Sequence, residues 1–277
     1  MAYQSLMVHL PVEASDDLLG VATTLARDHA AHLTGLHVVP RIEPQYTIEF
    51  PAAVLRDVEA RAQAAVAGLA ERFASATRGE GLVAEWRLLE GVGHPLERTL
   101  IEQGNTVDLI IAGQTRDRSR RGSRTELAAR TLAGSGRPML LVPSERTGST
   151  LGERVFVAWD GQRAATRALF GALPLLERAQ AVRLQRINAP PRDRRHAIGT
   201  TEELADTLAR HGVTVEVFHG EARAGEIGSE ILRCAADWGA DTLVAGGQEQ
   251  GAAREFLFGS TTRHVLEHLH VPLLTSC

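Results

Sequence analysis

Lysine is absent from this chain of 277 residues, and all 30 of its basic residues are arginine. Chemistry that needs a lysine side chain is therefore excluded, including the phosphate-loop lysine and Schiff-base catalysis. Only two cysteines occur, Cys234 and Cys277, so we expect neither a disulfide framework nor a cysteine zinc site. No apolar run approaches the roughly 20 residues that a membrane-spanning helix needs.

What remains is an ordinary globular composition, with 44% hydrophobic and 23% charged residues and a net charge of -4. The acidic balance argues against a general nucleic-acid binder or a polybasic membrane protein. The first residues lack the basic segment and the cleavage site of a signal peptide. Together with the scarcity of cysteine, these features predict a cytoplasmic protein.

Short apolar strands alternate with amphipathic helices along the whole chain, which predicts an α/β fold with a doubly wound parallel sheet. The pattern runs once up to about residue 142 and then restarts after a polar, glycine-containing segment at 144–153. We therefore predict two domains, 1–146 and 152–277, each a five-stranded unit. The predicted strands are 5–10, 33–39, 82–89, 107–112 and 138–142, and then 154–159, 181–187, 213–218, 241–245 and 272–275.

The two halves also match each other in sequence. VDLIIAGQ at 107–114 aligns with ADTLVAGG at 240–247, which pairs Asp108 with Asp241 and Gly113 with Gly246. By eye, AAHLTGLHVV aligns with RAQAVRLQRI. A repeat of this size indicates duplication of a whole domain. We call residues 1–146 the first copy and residues 152–277 the second copy.

Ligands of open parallel sheets bind beyond the carboxyl ends of the strands, where the strand order reverses. In the second copy, Asp160 follows the first strand, and a carboxylate can accept hydrogen bonds from ribose hydroxyls. Gly246 ends the fourth strand and permits close approach of a ligand. The run Gly259, Ser260 and Thr261 then opens a helix whose free amides and dipole suit an anion.

With these motifs the chain resembles the universal stress protein family in its tandem form. The family signature G-x2-G-x9-G-S/T is met by Gly246 and by Gly259 with Ser260, and RVFVAWDGQRAA and REFLFGSTTRHVL are similar to the family as well. The resemblance implies an adenine-nucleotide alpha-hydrolase-like fold and binding of ATP or a related adenine nucleotide. It implies that the ribose lies on Asp160, the adenine on the Ile187 backbone and the phosphates around the remaining residues, which are Gly246, Gly259, Ser260 and Thr261.

The match has departures in both copies. The middle glycine of the signature falls on Glu249, whose charge would oppose a triphosphate, although Arg254 in the same segment would offset it. In the first copy the position of Asp160 falls at or near Pro11, and the segment Arg116–Arg124 is a basic loop without the signature. We therefore predict that the first copy is a degenerate domain that does not bind ATP in the family's way.

The expected function is that of a stress-response protein that binds an adenine nucleotide through its second copy, without a dedicated reaction. No catalytic constellation is visible, and His264 and His268 lack a motif that would make them metal ligands. Two alternatives stay open, a nucleotide-free interaction scaffold and a slow ATP hydrolase. We expect no membrane or nucleic-acid partner.

The resemblance also bears on assembly, because single-domain members of the family typically pair through their last strands. It implies an intrachain pseudo-dimer in which 138–142 meets 272–275. Each of these apolar strands would otherwise be an exposed edge. Further dimerisation is left open.

Overall fold

The computed structural model describes residues 2–40, 52–91, 96–114, 121–145, 150–188, 200–223, 225–247, 249–250 and 257–277. It divides into two compact units, an N-terminal unit, Tyr3–Gly113, and a C-terminal unit, Gln114–Cys277. Among the helices that are described, none combines the length and the apolar character needed to cross a bilayer.

The N-terminal unit has four parallel strands in the order β3-β2-β1-β4. Buried apolar residues on these strands, among them Leu6, Leu33 and Ile110, form its core. Its elements are β1 (Ser5–His9), α1 (Asp16–His29), β2 (His32–Pro40), α2 (Ala52–Gly79), β3 (Ala84–Gly91), α3 (Leu96–Gly104) and β4 (Leu109–Gly113).

The C-terminal unit has a six-stranded sheet in the order β5-β12-β9-β6-β7-β8, together with a short hairpin of β10 and β11. All pairings in the sheet are parallel except that of β5 with β12. The elements are α4 (Arg121–Ser135), β5 (Met139–Val142), β6 (Arg154–Ala158), α5 (Arg163–Gly171), α6 (Leu173–Leu176), β7 (Ala181–Ile187), α7 (Thr201–Arg210), β8 (Val215–Gly220), α8 (Ile227–Trp238), β9 (Thr242–Gly246), β10 (Glu249–Gln250), β11 (Leu257–Phe258), α9 (Ser260–Glu267) and β12 (Leu273–Ser276).

The prediction of alternating strands and helices with a mostly parallel sheet is confirmed. Each copy supplies five strands of the sheet, as predicted. They are β1 to β5 in the first copy and β6 to β9 with β12 in the second copy, which also contains the β10–β11 hairpin. The predicted limits of most elements lie within two residues of those observed. The apolar runs predicted the central strands β1, β4, β6 and β9 well, because consecutive residues of these parallel strands are buried on both faces.

The strands β5 and β12, predicted to meet, do pair. They run antiparallel, with Leu141 opposite Leu273 and Leu140 opposite Leu274, and all four leucines are buried. This pairing joins the end of the first copy to the C-terminal unit, so the compact units divide at 113 and not at the polar segment. The predicted domain limits, 1–146 and 152–277, stay a prediction of the sequence repeat.

The sequence also predicts one helix at 163–178, a loop at 246–258 and Asp16 as the cap of α1, and these three expectations are wrong, as is that of a basic loop extending to Arg124. The helix expected at 163–178 is broken at Ala172, because Pro174 has no amide to continue the hydrogen-bond ladder. Helix α4 begins at Arg121, inside the segment expected to be a basic loop. The loop expected at 246–258 contains the β10–β11 hairpin. The cap of α1 is Ser15, whose hydroxyl accepts from the Leu18 amide at 3.2 Å, and not Asp16.

The sequence repeat is visible in matched hydrogen bonds. Asp108 accepts from the Gln4 and Ser5 amides at 2.7 and 3.0 Å, and Asp241 accepts from the Gly152 and Glu153 amides at 3.0 Å each. Both carboxylates thus fix the start of the first strand of their copy. The strand register, in which Leu6 lies opposite Leu109 and Val155 opposite Thr242, makes Pro11 the counterpart of Asp160.

The by-eye alignment of the second strands is wrong by one residue. The Leu10 amide donates to the Leu36 carbonyl, and the Trp159 amide, its counterpart, donates to the Gln185 carbonyl. Leu36 therefore corresponds to Gln185, and His37 corresponds to Arg186. Strand register, which sequence similarity between short apolar runs does not determine, decides this correspondence.

Candidate functional site at the carboxyl edge of the second copy

The strand order of the C-terminal unit reverses between β6 and β9. From β6 the chain proceeds through β7 to β8 on one side, whereas β9 and β12 lie on the other side. Ala158 at the end of β6 lies opposite Ala245, so that Asp160 and Gly246 follow at the same edge on neighbouring strands. This reversal point is where parallel sheets of this kind offer a ligand site.

Asp160 is exposed at this edge. Its Oδ1 accepts a hydrogen bond from the Gln162 amide at 2.9 Å, an arrangement that turns the chain into α5. Gly161 between them has φ +81°, a left-handed conformation that favours glycine. Among the described residues, Oδ2 of Asp160 receives no hydrogen bond, so the carboxylate retains an oxygen that can accept from a ligand hydroxyl.

Gly246 lies where the end of β9 meets the first turn of α5. A Cβ at this position would come within 2.4 Å of the Ala165 amide nitrogen and within 2.8 Å of other backbone atoms of Ala164 and Ala165. Contacts this short do not occur, so the close approach of the two backbones requires glycine here. The glycine of the signature therefore has a packing role, whatever its role toward a ligand.

Helix α9 begins beside Gly246. Gly259 precedes its first turn with φ -60° and ψ 164°, and no side-chain hydrogen bond caps the helix. The first amide bonded back along the helix is that of Arg263, which donates to the Gly259 carbonyl at 2.9 Å. The amides of the first turn therefore have no partner within the helix, as at any helix start. The Thr262 hydroxyl reaches the Gly246 carbonyl at 3.5 Å, which ties this turn to the end of β9.

Ser260 and Thr261 stand in that first turn, and the side chain of Ser260 is exposed while that of Thr261 is half-buried. Glu249 lies in β10, and its main chain pairs with Phe258, the residue before Gly259. Glu249, which replaces the middle glycine of the signature, is thus paired through its backbone with the segment that leads into α9. Arg254 lies outside the described residues, as do Arg116, Arg118 and Arg120.

Ile187 occupies the same edge on the far side of β6. Strand β6 ends with Ala158 opposite Gln185, so β7 continues two residues beyond it. The Ile187 main chain consequently borders the space above the end of β6. The next residue, Asn188, has φ +55° and exchanges two hydrogen bonds of 2.9 Å with Ala222, which fixes the end of β7.

One residue at this edge was missed by the sequence analysis. Arg186 shares a face of β7 with the buried Val182 and Leu184 and is itself 8% exposed. Its guanidinium carbon lies 5.1 Å from the centroid of the Trp159 ring. Burial lowers the pKa of Arg186, and the nearby charges of Asp160 and Glu202 oppose that shift. An arginine at a strand position that alternation marks as buried was the signal that could have found it.

The corresponding edge of the first copy is built differently. Pro11 stands in place of Asp160, and its carbonyl accepts from the Ala14 amide at 2.9 Å. His37, the counterpart of Arg186, is buried, and its Nδ1 contacts the Leu10 carbonyl at 2.7 Å. The polar groups of this edge are therefore used within the fold.

The geometry does not bring a metal site together in the part of the chain that the structure describes. Its His, Cys, Asp and Glu residues form no group of three or more that could hold a metal ion. His264 and His268 stack with ring centroids 4.3 Å apart, and the His264 Nε2 contacts the Ser229 hydroxyl at 3.0 Å.

Residues 152–276 match the model of the universal stress protein family. The second copy is a universal stress protein domain. The match includes every residue of the predicted site, from Asp160 to Thr261, and it begins where the sequence repeat places the second copy. None of the curated proteins matches the sequence of this chain.

Solved structures extend the likeness of fold beyond this universal stress protein domain. A universal stress protein from Archaeoglobus fulgidus superposes with a TM-score of 0.68 and 16% identity, over 98% of this chain and 94% of that chain. A protein of unknown function from Pseudomonas aeruginosa PAO1 gives a TM-score of 0.60 and 20% identity, over 99% and 92%. The cytoplasmic domain of a prokaryotic cation chloride cotransporter gives 0.52 and 13%, over 98% and 94%. At these identities the likeness shows that the fold is shared over the whole chain.

Proposed function

We propose that the universal stress protein domain of this chain binds ATP or a related adenine nucleotide, and that the protein acts in a stress response by binding without a dedicated reaction. The observation that carries the proposal is the convergence of Asp160, Ile187, Gly246 and the start of α9 on one edge, at the reversal of strand order. These are the residues that the family resemblance assigns to the nucleotide.

The residues at this edge fit the chemical parts of such a ligand. Asp160 offers a carboxylate oxygen to the ribose hydroxyls. The main chain of Ile187, beyond the end of β6, offers hydrogen-bonding groups to the edge of a base. The free amides of α9, with the hydroxyls of Ser260 and Thr261, offer donors to phosphate oxygens. The first copy offers no carboxylate at Pro11, which restricts the proposal to the second copy.

A nucleotide-free scaffold is the rival function, and two observations favour it. The glycine at 246 is already required by α5, and Glu249 brings a negative charge to the segment before α9. The two functions differ in one measurable property. A scaffold binds no nucleotide in either copy.

The test is calorimetric titration of ATP and AMP into the purified chain, into Asp160→Ala and into Pro11→Ala. We expect Asp160→Ala to abolish binding, because it removes the acceptor for the ribose, and Pro11→Ala to leave binding unchanged. Mass spectrometry of the ligand released on denaturation identifies the nucleotide that the protein retains. Equal losses in the two variants would refute the assignment of the site, and the absence of any binding by the unaltered chain would favour the scaffold.

A further inference from the structure

Strand β3 lies at the end of the strand order of the N-terminal unit and pairs with β2 along one side. Apolar side chains along this edge stay in contact with solvent. Val83, just before the strand, is 72% exposed, and Leu88 within it is 49% exposed. An edge strand carries a row of backbone amides and carbonyls that can pair with a further strand. The edge at β3 is therefore a place where a strand of another chain can be added.

The pairing of β3 with β2 determines which backbone groups of β3 point outward. The Leu33 amide donates to the Val83 carbonyl at 3.0 Å, so the backbone groups of Val83 and of every second residue after it point toward β2. Those of Ala84, Trp86 and Leu88 consequently point to the other side, where no described strand lies. These three residues offer the donors and acceptors of a new ladder.

The charges of β3 lie on one face of the strand, between the outward-pointing positions. Arg87 donates to the Glu85 carboxylate at 2.9 Å and to the Gln103 side chain of α3, also at 2.9 Å. The side chains of Glu85 and Arg87 are 47% and 36% exposed. They stand two residues apart, with Trp86 between them, so the strand carries a negative and a positive charge symmetrically about Trp86.

This symmetry makes the edge complementary to itself. In an antiparallel pair of two β3 strands with Trp86 opposite Trp86, Glu85 of each chain lies opposite Arg87 of the other chain. The outward groups of Trp86 then bond to their equivalents, and those of Ala84 bond to those of Leu88. The two charges occupy the positions between these bonded pairs, where side chains of opposite strands come closest.

Other registers of the same pair lose this match. With the axis moved by one residue, Glu85 lies opposite Glu85 or Arg87 lies opposite Arg87, and like charges that face each other directly destabilise a sheet. Those registers also place the axis at a residue whose backbone groups are already directed at β2. Backbone direction and charge therefore favour the same axis, at Trp86.

We propose that β3 is a homodimer interface, through which two chains of this protein join their sheets antiparallel about a twofold axis at Trp86. The occupant of the edge is a second, identical chain. The strands β5 and β12 take no part, because they already pair within each chain. The interface does not depend on the binding of a nucleotide.

Strand β8, the edge strand of the C-terminal unit, provides the control because it lacks this self-complementarity. The Gly220 carbonyl accepts from the Asn188 amide at 2.9 Å and so faces β7, which makes Val217 an outward-pointing residue. An axis at Val217 places Glu216 opposite Phe218, a charge opposite an aromatic ring. Glu216 is moreover already paired with an arginine of its own sheet at 3.0 Å.

The experiment is sedimentation equilibrium of the full chain and its variants from about 1 μM to about 500 μM, because association through an interface depends on concentration. We expect a reversible equilibrium between monomer and dimer. Glu85→Arg and Arg87→Glu should each raise the dissociation constant of the dimer by about tenfold or more, since each places like charges opposite one another. The double variant, in which the two charges are exchanged, should return to within about threefold of the unaltered chain.

A backbone substitution tests the ladder separately from the charges. Leu88→Pro removes an outward amide that β2 does not use, so it should abolish the dimer and leave the circular dichroism spectrum unchanged. Val217→Pro, the matched change at β8, should leave the dimer intact.

Three outcomes would overturn the inference. They are a chain that stays monomeric over the whole range, a dimer that neither single charge variant weakens, and a double variant that associates no better than the single variants. If Leu88→Pro does not fold, the exchange of charges decides the question alone.

Discussion

The carboxyl edges of the two copies differ although the backbones that carry them correspond. Asp108 and Asp241 each accept two backbone amides at the start of the first strand of their copy. At the opposite, carboxyl ends of these strands the likeness ends, because Pro11 replaces Asp160 and His37 replaces Arg186. In the first copy the edge groups bond to one another through Pro11, Ala14, Leu10 and His37.

This difference separates residues that hold the fold from residues that the proposed nucleotide would contact. A carboxylate that accepts two backbone amides at a strand start is needed in any copy, since buried amides require partners. A carboxylate at the strand end is not needed in both copies, because Asp160 accepts one amide at the start of α5 and keeps its other oxygen, whereas Pro11 occupies this position in the first copy. The comparison therefore supports restricting the proposed nucleotide site to the second copy, because the first copy has no carboxylate at Pro11.

We expect the largest effect when the two copies are expressed as separate chains. Residues 1–146 and 152–277, expressed separately, lose the pairing between β5 and β12, and each keeps an apolar edge strand with buried leucines that lack their cover. We expect both fragments to self-associate or precipitate, as measured by light scattering. Two well-behaved monomers would show that the copies do not depend on this pairing.

The paired glycines at the ends of β4 and β9 should respond unequally to one added methyl group. At Gly246 the new Cβ meets backbone of α5 at 2.4 Å, whereas at Gly113 it meets only the tip of Leu18 at 3.2 Å. We expect Gly246→Ala to lower the free energy of unfolding by about 3 kcal/mol and Gly113→Ala by less than about 1 kcal/mol. Urea unfolding measures both, and equal losses would contradict the described difference in packing.

Glu249→Gly would bring the second copy closer to the family signature. The change removes a negative charge from the strand that pairs with Phe258, just before the α9 start. We expect ATP binding to tighten by about threefold to tenfold and AMP binding to change less, because only ATP carries the outer phosphates. The salt dependence of ATP binding should flatten if repulsion is the cause. Unchanged ATP affinity would mean that the phosphates do not pass residue 249.

The smallest expected effect concerns the layer between β7 and α8. Cys234 contacts Gln185 at 3.3 Å and Glu230 at 3.2 Å. Its counterpart in the first copy is Ile101, because Ile101 lies as far before Asp108 as Cys234 lies before Asp241. Burial, chiefly, raises the pKa of Cys234, with Glu230 adding to the shift and the bond from Gln185 opposing it. The thiolate should therefore form only above the ordinary range of a cysteine.

Alkylation of the native chain by iodoacetamide, followed by peptide mass spectrometry, measures this property. We expect Cys234 to react more slowly than free cysteine at pH 7.5, and its rate to keep rising with pH beyond the point where free cysteine levels off. A rate equal to that of free cysteine would show that the described burial does not protect the thiol. The urea-unfolded chain is the control, since both thiols should then react alike.

The sequence predicted the strands and the repeat because these depend on apolar patterning, and the family resemblance implied the pairing of β5 with β12. It could not predict the register between copies, since one short apolar run fits another at several offsets. It did not reveal the packing role of Gly246, because the approach of α5 is a tertiary contact. It overlooked Arg186, whose surroundings come from Trp159 on one strand end and Glu202 on a later helix.

The antiparallel contact of β5 with β12 also has a consequence for mass action. Two separate chains that paired through such strands would come apart on dilution, since their association depends on concentration. Here the partners are joined by the chain between residues 142 and 273, and they meet at an effective concentration set by that tether. The pairing should therefore persist at any number of molecules per cell, because a single chain of this protein contains both of the paired strands.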